Sequence, residues 1–247
     1  MKIMILILSF ICLSHAYAYE DTAEFLYDAS EADTQQETWS YIFELMDVKG
    51  ESTNISSVEP HTLLKPASTM KVFTAWWAMV SSFRTDTFLA EMLKKSVNQM
   101  ADETAQGLGG VLAMEDFYRE KGLQITDETF QAADGSGLSY SNKTTCQVQI
   151  ELLKLIRRHK DYERFKNLMA QPGQLGTLQN RLSTFKGRLF AKTGTLKRTA
   201  SLSGFLETAK GTVVFCVLSD YLSITVAEAR IKIDQLLKKH DQLVLKP

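Results

Sequence analysis

At 247 residues, 45% hydrophobic and 23% charged, the chain has the composition of a globular protein, long enough for one sizeable core or for two lobes sharing one. Disordered and fibrous classes are excluded. The formal charge is -1, and removing residues 1–18, whose only charge is Lys2, makes it one unit more negative. That balance implies no broad cationic surface, so no nucleic-acid partner is expected and a small-molecule or polymer substrate is favoured.

Met1 and Lys2 are followed by the apolar IMILILSFICL and then by SHAYA. A charged start, an apolar stretch too short to span a membrane and small residues at a cleavage position predict a signal peptide over 1–18, cut after Ala18. A buried first strand or helix is the plainer alternative. Cys12 lacks the small residues that should precede a lipidated cysteine, so the expectation is a soluble exported protein with no membrane segment after cleavage. Residues 19–38 hold seven acids and no bases, which reads as a solvated arm or a short surface helix.

From Trp39, WSYIFELMDVKGE alternates as a strand and ends in a Lys-Gly turn. Helices are predicted over Thr69 to Phe83, Phe88 to Gly107, Glu115 to Lys121, Thr145 to His159 and Tyr162 to Ala170, where apolar residues recur every three and four positions. After about Gly187, RLFAKTGT, ASLSGFLETA and TVVFCVLSD are strand-length, with Lys210-Gly211 as the tight turn between the last two. A final helix runs from Ser223 to His240. The fold class is therefore α/β: an antiparallel sheet flanked by helices, with an inserted all-α lobe. One catalytic domain over 39–247 divides into an α/β lobe (about 39–67 and 187–247) and a helical lobe (about 68–186), with a cleft between them as the natural site.

The stretch Pro66-Ala67-Ser68-Thr69-Met70-Lys71 runs straight into VFTAWWAMV. Pro66 suits an extended approach to a helix, and Ser68 falls where a capping or first-turn residue sits, in the positive end of the helix field. A capping serine alone accounts for that much. Lys71 follows one turn later on the same face, close enough to reach the hydroxyl. Phe73, Trp76, Trp77, Met79 and Val80 make the helix apolar nearly all round and hence buried. Keeping a lysine charged there is costly, and a shift from about 10.4 to near 7 corresponds to roughly 4–5 kcal/mol of bias against the cation. A serine beside such a lysine is an activated nucleophile.

The S-x-x-K pattern recurs at Ser183 to Lys186, before Gly187 and a strand; no apolar helix desolvates that lysine, and the copy reads as a turn surface. Chance supplies roughly one such motif in a chain of this length, so order has to carry the argument. Ser96-Val97-Asn98 follows in the helix-rich segment, and Lys192-Thr193-Gly194-Thr195 lies in a late strand. An earlier Ser52-Thr53-Asn54 has the second form but precedes the nucleophile and reads as a turn. S-x-x-K, S-x-N and K-T-G in this order resemble the set of the penicillin-recognising serine enzymes.

LKPASTMK, MLKKSVNQMADETAQGLGG, Asp134-Gly135-Ser136-Gly137-Leu138-Ser139 and AKTGTLKRTASLSGF are similar to stretches of D-Ala-D-Ala carboxypeptidase/endopeptidases of the penicillin-binding protein 4 type. The resemblance runs from about Trp39 to Asp220 and implies a β-lactamase/transpeptidase-like fold, periplasmic action on peptidoglycan peptides, and covalent inhibition by β-lactams. It implies these roles: Ser68 as nucleophile and Lys71 as its base; Ser96 relaying the proton to the departing amine; Asn98 binding the substrate amide. Lys192 would hold charge near the substrate carboxylate, Thr193 and Thr195 would supply hydroxyls beside Gly194, and the backbone N–H groups of Ser68 and Thr195 would form the oxyanion hole. This chemistry requires no metal or cofactor. Two departures matter: only 24 residues separate Lys71 from Ser96, where larger members carry inserted domains, so a more open cleft is expected; and Val97 stands where an aspartate is common.

Rival readings are a β-lactamase, faintly echoed by Glu163 and Asn167 in what otherwise reads as an amphipathic helix, and a penicillin sensor that acylates without turnover. The Asp134 to Ser139 loop reads either as a glycine-rich turn or as a segment shaping the cleft. KLIRRHK reads as a solvated, dipole-complementing helix end. Cys146 opens a helix and Cys216 lies in a buried strand; two unpaired thiols are favoured over a bridge, which an oxidising compartment permits. His61, His159 and His240 have no metal-ligand spacing and read as solvated or hydrogen-bonded.

Overall fold

The computed structural model describes residues 36–245. The expected signal peptide and nearly all of the acidic arm lie outside them. In chain order the elements are β1 (Thr38–Met46), β2 (Ser52–Val58), α1 (Lys71–Val80), α2 (Asp86–Lys95), α3 (Asn98–Gly107) and α4 (Gly110–Glu120). A small ribbon of β3 (Phe130–Gln131) and β4 (Lys143–Thr144) follows, then α5 (Cys146–Arg158), α6 (Tyr162–Lys166), β5 (Leu189–Leu196), β6 (Thr199–Thr208), β7 (Gly211–Asp220) and α7 (Val226–Leu245). Both ends of the described chain supply one antiparallel sheet, ordered β2-β1-β7-β6-β5.

The period-2 alternation of β7 separates the two faces of that sheet. Val214, Cys216 and Leu218 join the core of α1, α2 and α5, while Val213, Phe215 and Val217 join a second core with Ala229, Ile233 and Leu237 of α7. Both faces are covered, so β7 reads as a near-continuous apolar run, VVFCVL, while β6 buries Thr199, Ser201 and Ser203 among its apolar residues. Fully burying each of these Val, Leu, Ile or Phe side chains contributes about 1.5–3 kcal/mol. At the edge, β2 is polar and half exposed, and its Ser52-Thr53-Asn54 is strand rather than turn because Leu45 and Glu44 pair with it.

Three further expectations are corrected. The long helix expected from Phe88 to Gly107 is two, α2 and α3, because Ser96 adopts a left-handed conformation at φ 63° and ends α2. Thr208 pairs with Gly211, so the last hairpin turns on Ala209 and Lys210, with Gly211 opening β7. Cys146 and Cys216 form a disulfide, Cα–Cα 5.5 Å, tying the first residue of α5 to the centre of β7. Antiparallel packing of α5 on the sheet brings two positions 70 residues apart within bridging range, a juxtaposition that spacing along the chain does not encode.

The basic end of α5 does more than complement a dipole: Arg157 donates to Thr212 Oγ1 at 2.9 Å and Arg158 to Gly50 O at 3.3 Å. His61 is exposed. His159 Nδ1 accepts the Asp161 N–H, and His240 Nδ1 lies 2.7 Å from Leu236 O.

Candidate active site

Ser68 lies in a short 3-10 turn, Ala67–Met70, that leads into α1, and its side chain caps nothing. The residue before it, Ala67, has φ 48°, a left-handed conformation that costs a non-glycine residue roughly 1–2 kcal/mol. Surrounding contacts hold the turn there. Ser201 Oγ donates to Pro66 O at 2.7 Å, as Thr69 Oγ1 does at 2.8 Å, and Gln149 Nε2 of α5 donates to Thr69 Oγ1 at 2.9 Å. Gly137 and Gly194 close on it from two sides: a Cβ at Gly137 would collide with Ala67 O, and one at Gly194 would stand 2.8 Å from Pro66 O. The glycines of D-G-S-G and K-T-G thus permit close backbone approach around the Ser68 turn.

Lys71 opens α1 and is completely buried. Its Nζ lies 3.0 Å from Ser68 Oγ and donates to Asn98 Oδ1 and Ser136 O, each at 2.7 Å. Burial pushes the amine down to about 8, against the pull of the Asp102 and Asp134 carboxylates. Asp134 itself organises the loop that presents Ser136 O, accepting the N–H groups of Ser136, Gly137 and Ser139 and the amide of Asn142. The loop is therefore both a turn and a wall of the site.

Lys192, in β5, is also completely buried, and donates to Ser96 Oγ and Thr193 O, each at 2.8 Å. Burial first, then the charge of Lys71, push it well below the ordinary lysine range. The break between α2 and α3 is what positions Ser96 for Lys192 and Asn98 for Lys71. Ser68, Ser96, Asn98, Thr193 and Thr195 line one cavity of 370 Å³, together with Thr177, Arg181 and Arg230. β5 forms the edge of the sheet, and Ala191 N–H points off that edge to Ala170 O at 3.0 Å. Strand alternation puts the Thr195 N–H on the same free side.

The decoy Ser183 and Lys186 are exposed at a 3-10 turn. Glu163 is an exposed residue of α6, paired with Lys166 at 2.8 Å and absent from the cavity lining. Sequence reasoning did not find Ser136 O, Asp102, Thr177, Arg181 or Arg230. Only Ser136 had a signal, the D-G-S-G turn; Arg230 lies 35 residues beyond Thr195 on a helix where an arginine reads as solvated surface.

A partly exposed Ser68 beside a fully buried Lys71 at the mouth of an apolar helix, an S-x-N hydroxyl and a K-T-G edge strand come together on a β-lactamase/transpeptidase-like fold, the arrangement expected of a serine enzyme. The chain belongs to the D-Ala-D-Ala carboxypeptidase 3 (S13) family, whose pattern matches residues 81–240, a span that holds Ser96, Asn98 and the K-T-G strand and begins after Lys71. The D-alanyl-D-alanine carboxypeptidase DacB of Haemophilus influenzae is 29% identical over 139 residues, 50% of this chain and 29% of that protein. Penicillin-binding protein 4 from the same organism, solved in complex with a novel β-lactam, superposes with a TM-score of 0.52 at 28% identity, covering 56% of this chain and 35% of that one. The penicillin G-acylated predatory endopeptidase Bd3459 of Bdellovibrio bacteriovorus, complexed with immunity protein Bd3460, superposes with a TM-score of 0.70 at 14% identity over 84% of this chain and 93% of its own. The chain thus spans less than a third of the curated relative's length, and the fold likeness to the shorter endopeptidase extends over nearly all of it.

Proposed function

We propose that this chain is an exported serine DD-peptidase, cutting D-Ala peptide bonds of peptidoglycan through a penicillin-sensitive acyl-enzyme. The observation that carries the reading is the Lys71 amine, fully buried, 3.0 Å from Ser68 Oγ and with its pKa brought down to about 8. At that value an appreciable fraction is neutral near physiological pH and can accept a proton.

Neutral Lys71 takes the Ser68 proton as Oγ bonds to the carbonyl carbon of the penultimate D-Ala. The carbonyl π pair moves onto oxygen, which meets the backbone N–H groups of Ser68 and Thr195. Ser96, oriented by the bond from Lys192, relays the proton to the departing amine as the C–N bond breaks, and Asn98 holds both Lys71 and the substrate amide. Water then attacks the ester, with Lys71 again as base, and releases the shortened peptide.

Family membership supports a peptidoglycan stem-peptide substrate and an extracytoplasmic location, and agrees with the signal peptide expected over 1–18. Only 24 residues separate Lys71 from Ser96, so no large domain is inserted over that side of the site, and the fold neighbour of similar extent is named an endopeptidase. Both favour cleavage of bulky cross-linked dimers. A deacylating carboxylate of the β-lactamase kind is not supported by Glu163, which is turned to Lys166 outside the cavity.

The test is digestion of purified cross-linked peptidoglycan with and without benzylpenicillin pretreatment, followed by chromatography of muropeptides. Penicillin-sensitive loss of dimers is expected, with loss of terminal D-Ala alone indicating a carboxypeptidase. Ser68→Ala abolishes both activities and the penicillin adduct; cleavage surviving in that variant would sink the assignment.

A further inference from the structure

Lys65 and Asp220 form an ion pair, Nζ to Oδ1 at 3.1 Å, with both side chains buried, and neither lines the catalytic cavity. Lys65 directly precedes Pro66 and the left-handed Ala67 that leads to Ser68, while Asp220 is the last residue of β7. The same Asp220 Oδ1 accepts the Thr199 hydroxyl at 2.7 Å and the Tyr221 N–H at 2.9 Å. Its Oδ2 is buried with no hydrogen-bond partner among the described residues. Thr199 opens β6, next to Ala200, which pairs with Thr195 of β5. Lys65, Asp220 and Thr199 therefore make a chain of charge-assisted bonds from the approach to Ser68 to the hairpin that carries Thr195.

Both ends of this chain are anchored. Leu64, before Lys65, exchanges backbone bonds with Thr144 at 3.0 and 2.9 Å, and the Lys65 ammonium sits 4.2 Å from the centre of the Tyr221 ring. At the hairpin tip, Arg198 donates to the carbonyls of Tyr221 and Leu222, each at 3.0 Å, which fastens the tip to the segment after Asp220. A buried ion pair is a poor source of stability, because well-packed apolar side chains of similar volume commonly do as well or better; what it can supply is a fixed geometry. The geometry at stake here is the spacing of two separate segments, one holding the Ser68 N–H and the other the Thr195 N–H. An oxyanion hole made from both is only as well defined as that spacing, since its donors act at roughly 2.7–3.1 Å from the developing charge.

We propose that the Lys65–Asp220 pair, together with Thr199, is a positioning strut that sets the distance between the Ser68 and Thr195 N–H groups and so holds the oxyanion hole in shape from behind. This rests on the serine DD-peptidase reading above. None of the three residues touches substrate. The Ser201 bond to Pro66 O joins the same two segments closer to the site, so loss of the strut loosens the hole without dismantling it. Its effect falls on the step in which charge develops on the carbonyl oxygen, and binding of the ground-state peptide is left nearly as it was.

The experiment acylates the mature chain with benzylpenicillin isotopically labelled at its β-lactam carbonyl and reads the ester carbonyl band of the Ser68 adduct by difference infrared spectroscopy. The double variant Lys65→Met with Asp220→Asn keeps an acceptor for Thr199 and Tyr221 and fills the lysine's space, but cuts the link between the segments. It is expected to fold with a thermal midpoint near that of wild type, because a buried ion pair is replaced by neutral side chains of similar size. Its carbonyl band moves to higher wavenumber and broadens, and acylation slows about 10-fold, less than the roughly 10²–10³-fold for outright loss of an oxyanion donor. On a D-Ala-D-Ala stem peptide the loss is in kcat, with KM little changed. Lys65→Arg, which keeps the pair and offers a second N–H to the orphan Oδ2, returns the wild-type band. Thr199→Val cuts the far link, leaves the ion pair in place and gives a smaller shift in the same direction, so the strut is still tested if the double variant does not fold. A band at the wild-type position in the folded variants overturns the strut, whatever happens to the rate. If wild type is not acylated and cleaves neither stem peptides nor cross-linked dimers, the DD-peptidase reading falls, an outcome distinct from an unmoved band.

Discussion

Lys71 and Lys192 are both inaccessible to solvent, yet their surroundings act on them differently. Lys71 meets an amide oxygen, a backbone carbonyl and two carboxylates at longer range, so burial lowers it only to about 8. Lys192 meets a hydroxyl and a carbonyl, with a second lysine as its charged neighbour and no carboxylate among the influences on it, and burial carries it well down. Desolvation alone does not make a base: a lysine too easily neutralised is a weak proton acceptor, and one left near its ordinary value stays charged at neutral pH. Asp102 and Asp134 oppose the effect of burial on Lys71, which under the proposed mechanism keeps it in the interval useful to a base.

The sharpest break in this comparison is to remove each amine in turn. Lys71→Met lowers the second-order rate of benzylpenicillin acylation by about 10²–10⁴-fold, the range for loss of a positioned general base. Lys192→Met leaves the Ser68–Lys71 contact in place and costs less. Stopped-flow acylation, with thermal unfolding of both variants to establish that they fold, checks the ordering; equal losses would contradict the division of labour.

A second effect lies in the support of the Lys71 side. The disulfide fixes the start of α5 to β7, and α5 carries Gln149 to the turn that holds Ser68. Closing a loop of 70 residues in the unfolded chain stabilises the fold by about 4 kcal/mol on the chain-entropy account. The double variant Cys146→Ser with Cys216→Ser should lose stability of that order in denaturant unfolding. A midpoint unchanged from wild type would make the bridge incidental.

The sequence made the S-x-x-K and K-T-G motifs legible because each is local, and each is carried by an element whose apolar pattern is itself local. The sheet and most helices were legible for the same reason. β2 escaped because STNISSV is a polar edge strand without alternation, held by pairing to β1. The break at Ser96 escaped because apolar spacing continues across it, and what ends α2 is one left-handed backbone conformation with no glycine to mark it. The disulfide, the Ser136 carbonyl and Arg230 escaped because each acquires its partner only when distant segments are packed together: α5 on β7, the D-G-S-G loop on α1, and α7 beside β5.

The smallest predicted effect tests what sets Lys71 itself. Asp102 lies one turn beyond Asn98 in α3, half-buried, and its Oδ1 has no hydrogen-bond partner among the described residues. Burial, and then the charge of Asp134, push its pKa above the usual carboxylate value, and when ionised it pulls the Lys71 pKa upwards. In the proposed mechanism only neutral Lys71 accepts the Ser68 proton, so acylation in wild type is expected to rise with pH through a limb centred at about 8. Asp102→Asn removes an anion that favours the ammonium, the Lys71 pKa drops, and the neutral form is reached sooner: the limb moves to lower pH. The measurement is the pH profile of benzylpenicillin acylation for both proteins. A limb that stays in place would mean that burial and Asp134 alone tune the base, and that α3 contributes only Asn98 to it.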